Sequence, residues 1–288
     1  MTRYLITGAT GMLGRDLQRA LAGRRVTAAS RADLDVTDAA AVAAAVAAHD
    51  VVVNAAAYTA VDDAEAHEDM AFAVNALGAQ HLATAAAAHG ARIVQVSTDY
   101  VFDGSSREPY AEGAPRHPAS AYGRTKAAGE ERVLAAHPDG AYVVRTAWLY
   151  GEHGPNFAAT MLRLATSRDS WAVVDDQVGQ PTWTMDLASR IVELLDSEAA
   201  PGIYHGTNSG QTSWFGFARA VLEEASLDPS RVTPTTSADF PRSAPRPAYS
   251  VLAHDAWREA GLEPMRDWRA ALHASGVGRR WGAPEDPA

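Results

Sequence analysis

Near its start the chain runs Leu5-Ile-Thr-Gly8-Ala-Thr-Gly11-Met-Leu-Gly14, a short apolar run that enters three glycines at equal spacing. Glycine permits a tight turn and close backbone approach, and the free N–H groups at the start of a following helix can bind a pyrophosphate. The spacing differs from the G-x-G-x-x-G dinucleotide fingerprint, but the position between a first strand and a first helix favours the same use. The alternative is a turn that needs glycine for its shape alone.

Short apolar runs alternate with helical patterns from this loop onward. Because alternating strands and helices form βαβ units, and nearly all-apolar strands indicate a sheet covered on both faces, we expect a parallel sheet. The fold class is therefore predicted to be α/β, a Rossmann-type doubly wound parallel sheet with a smaller α/β substrate-binding lobe. The predicted strands are 5–7, 25–30, 51–54, 93–97, 142–146 and 171–174, and the predicted helices are 13–22, 39–49, 70–89 and 122–136.

The alternation loosens after about Tyr150, where aromatic residues, proline and glycine become denser. This change predicts a loop-rich second lobe, with pieces near 171–198 returning to the sheet. We assign 1–147 plus about 171–198 to a dinucleotide-binding domain and 148–170 plus about 199–275 to the substrate-binding lobe. The polar end, 276–288, is predicted to be a flexible tail.

The composition excludes several functional classes. The formal net charge of −10 argues against a nucleic acid polymer as partner, since phosphate binding needs a basic face. The absence of cysteine excludes thiolate catalysis and cysteine-ligated zinc, and the histidines form no HExxH pattern, so we predict no metal. No apolar run is long enough for a membrane span or a signal peptide, so a cytoplasmic location is expected.

A tyrosine and a lysine in the sequence Tyr122-Gly-Arg-Thr-Lys126 suggest the chemistry. Residues four apart share a helix face, and Thr98 is predicted at the carboxyl end of a strand, where open α/β sheets bind ligands. Reduction of a ketone needs a proton donor; a tyrosine has an ordinary pKa of about 10, which a neighbouring ammonium lowers. The Thr98 hydroxyl can orient the carbonyl. The alternative is a pair of residues on a helix surface.

Lys126 is also the only lysine of the chain, against 24 arginines. Either the lysine has persisted by chance or its position requires a primary ammonium and rejects a guanidinium.

The residue after the second predicted strand bears on the choice of nicotinamide cofactor. Arginine there suits the 2′-phosphate of NADP, whereas an acid binds the 2′-hydroxyl of NAD. Arg31 therefore favours NADPH, while NADH stays possible because Asp33 and Asp35 follow closely.

Taken together, these motifs resemble the extended short-chain dehydrogenases, and among them the dTDP-4-dehydrorhamnose reductase family. The resemblance extends to about residue 272, and the combination of STDYVFDG with DDQVGQPTW is specific to that subgroup. The matching motifs are GATGMLG, VVNAAAYTAVD, FAVNALGA, STDYVFDG, YGRTKAAGE, RTAWLYG, NFAATMLRLA, DDQVGQPTW and PRPAYSVL.

The resemblance implies roles for individual residues. The catalytic set would be Thr98, Tyr122 and Lys126, the last two also touching the cofactor. The remaining cofactor contacts would be Gly8, Thr10, Gly11, Met12 and Leu13 at the pyrophosphate, Asp35 and Val36 at the adenine, and Ala55, Ala56, Ala57 and Asn75 at the ribose and nicotinamide. Arg31 joins the cofactor set from its position after the second strand. The substrate-binding set would be Val61, Thr98, Asp99, Tyr100, Trp148, Asn156 and Arg246.

The implied reaction is NADPH-dependent reduction of the C4 ketone of a dTDP-6-deoxy-4-ketohexose, a nucleotide sugar. Related sugar dehydratases carry Thr-Asp-Glu, in which the glutamate is an acid–base residue. This chain has Thr98-Asp99-Tyr100 at the same place, and the tyrosine in third position disfavours elimination. Two alternatives stay open, a non-catalytic NADP-binding subunit resembling the regulatory subunit of methionine adenosyltransferase, and a nucleotide-sugar epimerase. A homodimer is also left open. Some relatives bind magnesium between subunits, and Asp16 lies where one ligand would be, but no site can be completed.

Overall fold

A six-stranded parallel sheet forms the centre of the computed structural model, which describes residues 1–278 and Trp281. The strands of the described chain are β1 (Arg3–Thr7), β2 (Arg25–Ala29), β3 (Val51–Asn54), β4 (Arg92–Thr98), β5 (Ala141–Thr146), β6 (Leu149–Tyr150), β7 (Trp171–Val174), β8 (Val178–Gly179), β9 (Thr182–Trp183), β10 (Gly202–His205), β11 (Thr212–Ser213) and β12 (Val232–Thr235). The order in the central sheet is β2-β1-β3-β4-β5-β10, and neighbouring strands are all parallel.

Helices cover both faces of this sheet. The helices of the described chain are α1 (Met12–Ala20), α2 (Ala39–Val46), α3 (Glu68–Phe72), α4 (Ala79–His89), α5 (Ala121–Ala136), α6 (Phe157–Ser167), α7 (Thr184–Asp196), α8 (Trp214–Glu224), α9 (Asp255–Glu259) and α10 (Trp268–Ser275). Side chains alternate along each strand, so Ile6 of β1 joins a core with α1 and α7, while Leu5 joins the opposite core with α2, α4 and α5.

The strand order reverses at β1, which lies between β2 and β3. In open α/β sheets a ligand binds outside the carboxyl ends of the strands at such a switch point. Gly8 follows β1 there with a φ of +68°, and a Cβ on it would lie 2.7 Å from the carbonyl oxygen of Ala55. A Cβ on Gly14 would lie 2.3 Å from the carbonyl oxygen of Gly8. The loop is therefore folded too tightly for any larger residue at these two positions.

A separate apolar core belongs to the second half of the chain. It is built by α6, α8 and α10 around Tyr150, Phe217 and Trp171. Three two-stranded sheets edge this lobe, β7 with β12, β8 with β11, and β6 with β9. Among the described residues, no helix is long and apolar enough to cross a membrane.

Two features of the sheets differ from expectation. Strand β7 pairs with β12 in the lobe and not with the main sheet, whereas β10, which was not predicted as a strand and lies beyond the predicted boundary near residue 199, pairs with β5 as an edge strand of the main sheet. Both strands have four residues, and so short a run carries little information about its partner. Helix α7 does return to the main sheet and packs on α1, as expected. The division into two domains stays a prediction.

Two further boundaries differ from expectation. The helix predicted over 70–89 is interrupted by a π-helical turn at Ala73–Gly78. The predicted tail does not begin at Gly276, because Val277 is buried in the lobe core and the Trp281 ring lies 5.9 Å from that of Tyr150. The remaining tail residues, 279, 280 and 282–288, lie outside the described residues.

Replacing Gly14 by alanine tests the tightness of the loop. Alanine ordinarily stabilises a helix by about 1 kcal/mol relative to glycine. Here the added Cβ would meet the Gly8 carbonyl, so we expect Gly14→Ala to lower the free energy of unfolding by about 1–3 kcal/mol in chemical denaturation. Gly113→Ala is the control, because nothing lies within 4 Å of its Cβ position. A Gly14→Ala protein as stable as the wild type would contradict the close approach.

Candidate active site

The glycine loop exposes the start of α1. Gly11 caps α1 without a side chain, and the first turn of a helix leaves backbone N–H groups without intrahelical partners. Thr10 and Gly11 are exposed and Met12 is half-buried, whereas Leu13 belongs to the core. A tight loop before a helix N-terminus is the kind of site that binds a pyrophosphate, and the individual cofactor contacts stay predictions.

The segment after β3 forms a wall beside this loop. Asn54 is buried and its Oδ1 accepts hydrogen bonds from Thr7 Oγ1 at 2.6 Å and from the Ala56 amide at 3.1 Å. The side chain of Asn75 holds the backbone of Tyr58 at both its N–H and its carbonyl, 2.8 and 3.2 Å away. Residues Ala55, Ala56 and Ala57 lie between these two anchored points at the carboxyl edge of the sheet, and the cofactor role of Asn75 stays a prediction.

The predicted adenosine residues differ in accessibility. Arg31 and Asp35 are exposed, and the Asp35 carboxylate accepts the amide and hydroxyl of Thr37, which lowers its pKa. The side chain of Val36 is buried in the core against Gly78. Val36 can therefore border an adenine only at its backbone, and its role stays a prediction.

The predicted catalytic residues converge at the carboxyl end of β4. Thr98 ends this strand and is 6% exposed, and Tyr122 lies in the first turn of α5 with its ring edge-on to Tyr100 at 5.6 Å. Lys126 is one turn further along α5, 4% exposed, and its Nζ donates to the Val96 carbonyl at 2.6 Å. The structure thus brings a hydroxyl, a phenol and an ammonium to one edge of the sheet.

The protonation states follow from burial. Burial raises the pKa of Tyr122 above its ordinary value, the charge of Asp99 adds to this, and a hydrogen bond with Thr98 acts in the opposite direction. Burial lowers the pKa of Lys126 to about 8, against a raising effect of Glu130. The expectation that Lys126 would lower the pKa of Tyr122 is therefore wrong for this structure: burial raises this pKa, and the lowering effect comes from the hydrogen bond with Thr98. The phenol stays protonated, which is the form that can donate.

Asp99 lies directly behind Thr98. It is 2% exposed, and its Oδ1 accepts a hydrogen bond from Thr98 Oγ1 at 2.9 Å. Burial raises the pKa of Asp99 to about 6, while hydrogen bonds from Ser250 and Thr98 lower it. The carboxyl group orients the Thr98 hydroxyl and carries a charge that responds to mild acid.

Arg246 joins this group from the other half of the chain. Its guanidinium lies 5.9 Å from the centre of the Tyr100 ring, and its Nη2 donates to Asp62 Oδ2 at 2.8 Å. Asp62 also accepts the amide of Ala244 at 3.1 Å and follows Val61 in the chain. The structure therefore brings together Val61, Tyr100 and Arg246 of the predicted substrate residues. Asp62 was missed by sequence reasoning, because its partner is remote in the chain.

Trp148 has a backbone conformation that is uncommon outside glycine. Its φ is +47°, a left-handed value that costs about 1–3 kcal/mol in non-glycine residues and is often found at functional sites. The indole stacks on Trp214 with ring centres 3.6 Å apart and covers Gly179. Trp214 is a second residue that the sequence did not single out.

The side chain of Asn156 is occupied by local bonds. Its Oδ1 caps α6 by accepting the Ala159 amide at 3.0 Å, and its Nδ2 donates to the Gly151 and Gly154 carbonyls. These bonds explain an asparagine at this position without a ligand, and the nucleotide contact stays a prediction.

No group of three or more histidine, aspartate or glutamate side chains with metal-binding geometry occurs in residues 1–278 and Trp281. Asp16 is buried and its Oδ2 accepts the Thr184 hydroxyl at 2.6 Å.

The fold and the site together define a nicotinamide-dependent oxidoreductase of the extended short-chain dehydrogenase class. The features that define it are the doubly wound sheet, the glycine loop at its switch point and the cluster of Thr98, Tyr122 and Lys126. Comparison with protein families finds that residues 2–276 match the family described as "RmlD substrate binding domain". The chain belongs to this family, that of the dTDP-4-dehydrorhamnose reductases.

Individual relatives agree with this assignment. The chain is 54% identical over 281 residues to a dTDP-4-dehydrorhamnose reductase of Streptomyces griseus, covering 95% of this chain and 92% of that one. It is 51% identical to a dTDP-4-keto-6-deoxy-D-glucose reductase of Streptomyces niveus, covering 94% and 95%. Among solved structures, the dTDP-4-dehydrorhamnose reductase of Bacillus anthracis in complex with NADP is 38% identical with a TM-score of 0.92, covering 95% of this chain and 98% of that one.

Ser120 caps the helix that carries Tyr122 and Lys126, and this cap can be tested alone. Its Oγ accepts the Gly123 amide at 3.1 Å, and the residue is 1% exposed. We expect Ser120→Ala to lower the free energy of unfolding by about 1 kcal/mol. Ser167→Ala, at the exposed end of α6 with only long bonds of 3.4 Å, should change it by less than about 0.5 kcal/mol. Equal losses of unfolding free energy in the two variants would mean that the Ser120 cap does not stabilise the protein.

Proposed function

We propose that the protein reduces the C4 carbonyl of a dTDP-6-deoxy-4-ketohexose, such as dTDP-4-dehydrorhamnose, with NADPH as the hydride donor. The observation that carries the proposal is the convergence of Thr98, Tyr122 and Lys126 at the carboxyl end of β4, beside a glycine loop shaped for a pyrophosphate. The names of the relatives from Streptomyces griseus and Streptomyces niveus support the same substrate class.

Each residue has a distinct task in this reaction. The bound cofactor supplies the hydride that reaches C4. Tyr122, protonated because of its burial, donates a proton to the carbonyl oxygen as charge develops there. The Thr98 hydroxyl donates to Asp99 in the structure, and on substrate binding it would turn this hydrogen bond to the carbonyl oxygen and so orient the ketone. The ammonium of Lys126 would stabilise negative charge at the reacting edge and bind the nicotinamide ribose.

Arg246 suits the nucleotide portion of the substrate. A guanidinium binds diphosphate oxygens with paired hydrogen bonds, and Arg246 is held next to Tyr100 by Asp62. We assign Val61, Asp99, Tyr100 and Trp148 to the sugar, as the resemblance implies, and Tyr100 lies beside the Arg246 guanidinium. Tyr100 stands where dehydratases place an acid–base glutamate, so reduction is favoured over elimination.

NADPH is the proposed cofactor on two grounds. Arg31 is exposed beyond the end of β2, where its charge can pair with a 2′-phosphate. The related Bacillus anthracis reductase was solved in complex with NADP.

The alternatives have less support. The cited relatives are named as reductases, which does not favour a non-catalytic regulatory subunit. The resemblance to an epimerase of Thermus thermophilus is at 22% identity and concerns the fold alone.

Substitutions of the tyrosine and the lysine test the reaction directly. In an NADPH-oxidation assay with dTDP-4-dehydrorhamnose, we expect Tyr122→Phe to lower kcat by about 10²–10⁴-fold, because the proton donor is lost. Lys126→Arg should be similarly impaired, since a planar guanidinium does not replace a compact ammonium. Tyr204→Phe, whose hydroxyl donates only to the remote Ala200 carbonyl, is the matched control and should retain activity. Unchanged turnover in Tyr122→Phe would exclude the mechanism.

Cofactor preference can be tested at Arg31. We expect Arg31→Ala to raise the KM for NADPH about tenfold and to leave the KM for NADH nearly unchanged, because only the 2′-phosphate is contacted. The difference in the KM for NADPH between wild type and Arg31→Ala should shrink as salt is added, because salt screens the charge of the exposed Arg31. Arg258→Ala, another exposed arginine that pairs with Asp255, serves as control. Equal effects on both cofactors would show that Arg31 does not select NADPH.

A further inference from the structure

A buried carboxylate that the mechanism above does not use lies behind the catalytic residues. Glu130 of α5 is fully buried. Its Oε1 accepts hydrogen bonds from Ser97 Oγ at 2.5 Å and Arg145 Nε at 2.9 Å, and its Oε2 accepts Arg145 Nη2 at 2.8 Å and Arg116 Nη1 at 3.3 Å. Both carboxylate oxygens therefore accept hydrogen bonds, and the donors lie on β4, on β5 and on the loop before α5.

The Glu130 carboxylate lies close in the chain or in its contacts to two residues of the catalytic set, Lys126 and Thr98. Glu130 follows Lys126 by four residues, so the two side chains share a face of α5. Its partner Ser97 directly precedes Thr98 at the end of β4. One side chain thus connects the helix that carries Tyr122 and Lys126 to the strand that carries Thr98.

The charge of Glu130 acts on Lys126. The ammonium is buried and hydrogen-bonded to a neutral carbonyl, that of Val96, so burial lowers its pKa to about 8. Glu130 opposes this by raising the same pKa. Tyr122, on the same helix, stays neutral because burial and Asp99 raise its pKa.

The other charged groups near Glu130 lie on three further segments. Arg145 of β5 is 1% exposed and also donates to the Glu112 carbonyl. Its Nη1 lies 3.3 Å from Nε2 of His205 on β10, and burial with the charge of Arg145 lowers the pKa of His205 to about 3, so His205 is neutral near pH 7. Arg116 is half-buried and also pairs with the exposed Glu131. Arg145 is thus the fully buried cation whose charge balances Glu130.

From this arrangement we propose that Glu130 and Arg145 form a positioning pair for the reduction. Glu130 holds the strand end with Thr98 against α5, and the balance of the two buried charges keeps the ammonium of Lys126 protonated. The proposal rests on the function proposed above. Arg145 pairs in register with Ser97, which follows the Val96 whose carbonyl binds the ammonium. Removing the negative partner takes away the charge that raises the pKa of Lys126 and leaves the cation of Arg145, which favours loss of the proton; removing the positive partner has the opposite effect.

The test is the pH dependence of kcat in the ketosugar assay, followed into the alkaline range where Lys126 loses its proton. We expect Glu130→Gln to move the alkaline midpoint down by about 0.5–1 pH unit, and Arg145→Met to move it up by a similar amount. Ser97→Ala, which removes a hydrogen bond without changing charge, should lower kcat and leave the midpoint in place. Glu131→Gln is the matched control, an exposed carboxylate next in the chain and bonded to the same Arg116, and its profile should equal the wild type.

The outcomes separate the possible explanations. Opposite shifts in Glu130→Gln and Arg145→Met support the pair, because a merely structural role would lower activity in both without moving their midpoints apart. Midpoints that stay at the wild-type value, or that move in the same direction, would overturn it. If Glu130→Gln does not fold, the upward shift in Arg145→Met and the unmoved midpoint in Ser97→Ala still decide. A wild type that does not oxidise NADPH with the ketosugar refutes the proposed function, whereas an active wild type with unaltered variant profiles refutes only the pair.

Discussion

The active site depends on how closely α5 approaches the end of β4 and the segment beside it. A Cβ on Gly123 would lie 2.2 Å from the Tyr100 carbonyl oxygen, and a Cβ on Gly129 would lie 2.2 Å from that of Asn75. The helix backbone therefore packs where no larger side chain fits. This contact brings the first turn of α5, with Tyr122, beside Thr98, and it buries the next two turns, with Lys126 and Glu130. The burial in turn sets the protonation of the phenol and of the ammonium.

Much of the fold could be predicted because its signals are local. A glycine loop between an apolar strand and a helix, followed by alternating apolar and helical segments, leaves few arrangements other than a doubly wound sheet. The strand Trp171–Val174 had correct bounds and the wrong partner, and the edge strand Gly202–His205 was not predicted. Strand pairing is determined by tertiary packing, to which a four-residue apolar run contributes almost nothing. The π-helical turn at Ala73–Gly78 has no periodicity that distinguishes it from an α-helix.

In the candidate site, too, local features could be predicted from the sequence and contacts between distant segments could not. Tyr122 and Lys126 could be found from their spacing, and Thr98 from its position after an apolar run. Asp62 with Arg246 and Glu130 with Arg145 could not, since each pair joins elements that only the fold brings together. The sign of the Tyr122 pKa shift was also missed. Sequence gives the neighbouring charge, whereas the degree of burial, which dominates the pKa, depends on packing from all sides.

This packing explains why the only lysine of the chain stands at position 126. Lys126 is 4% exposed, and its ammonium is hydrogen-bonded to one carbonyl, that of Val96. A guanidinium has five N–H donors in a fixed plane, and in such a place most of them would be buried without acceptors, each at a cost of about 1–3 kcal/mol. A guanidinium also keeps its charge at any ordinary pH, whereas the pKa of about 8 leaves the ammonium sensitive to the charges around it. A chain that otherwise uses arginine throughout therefore retains lysine where burial leaves room for a compact cation only.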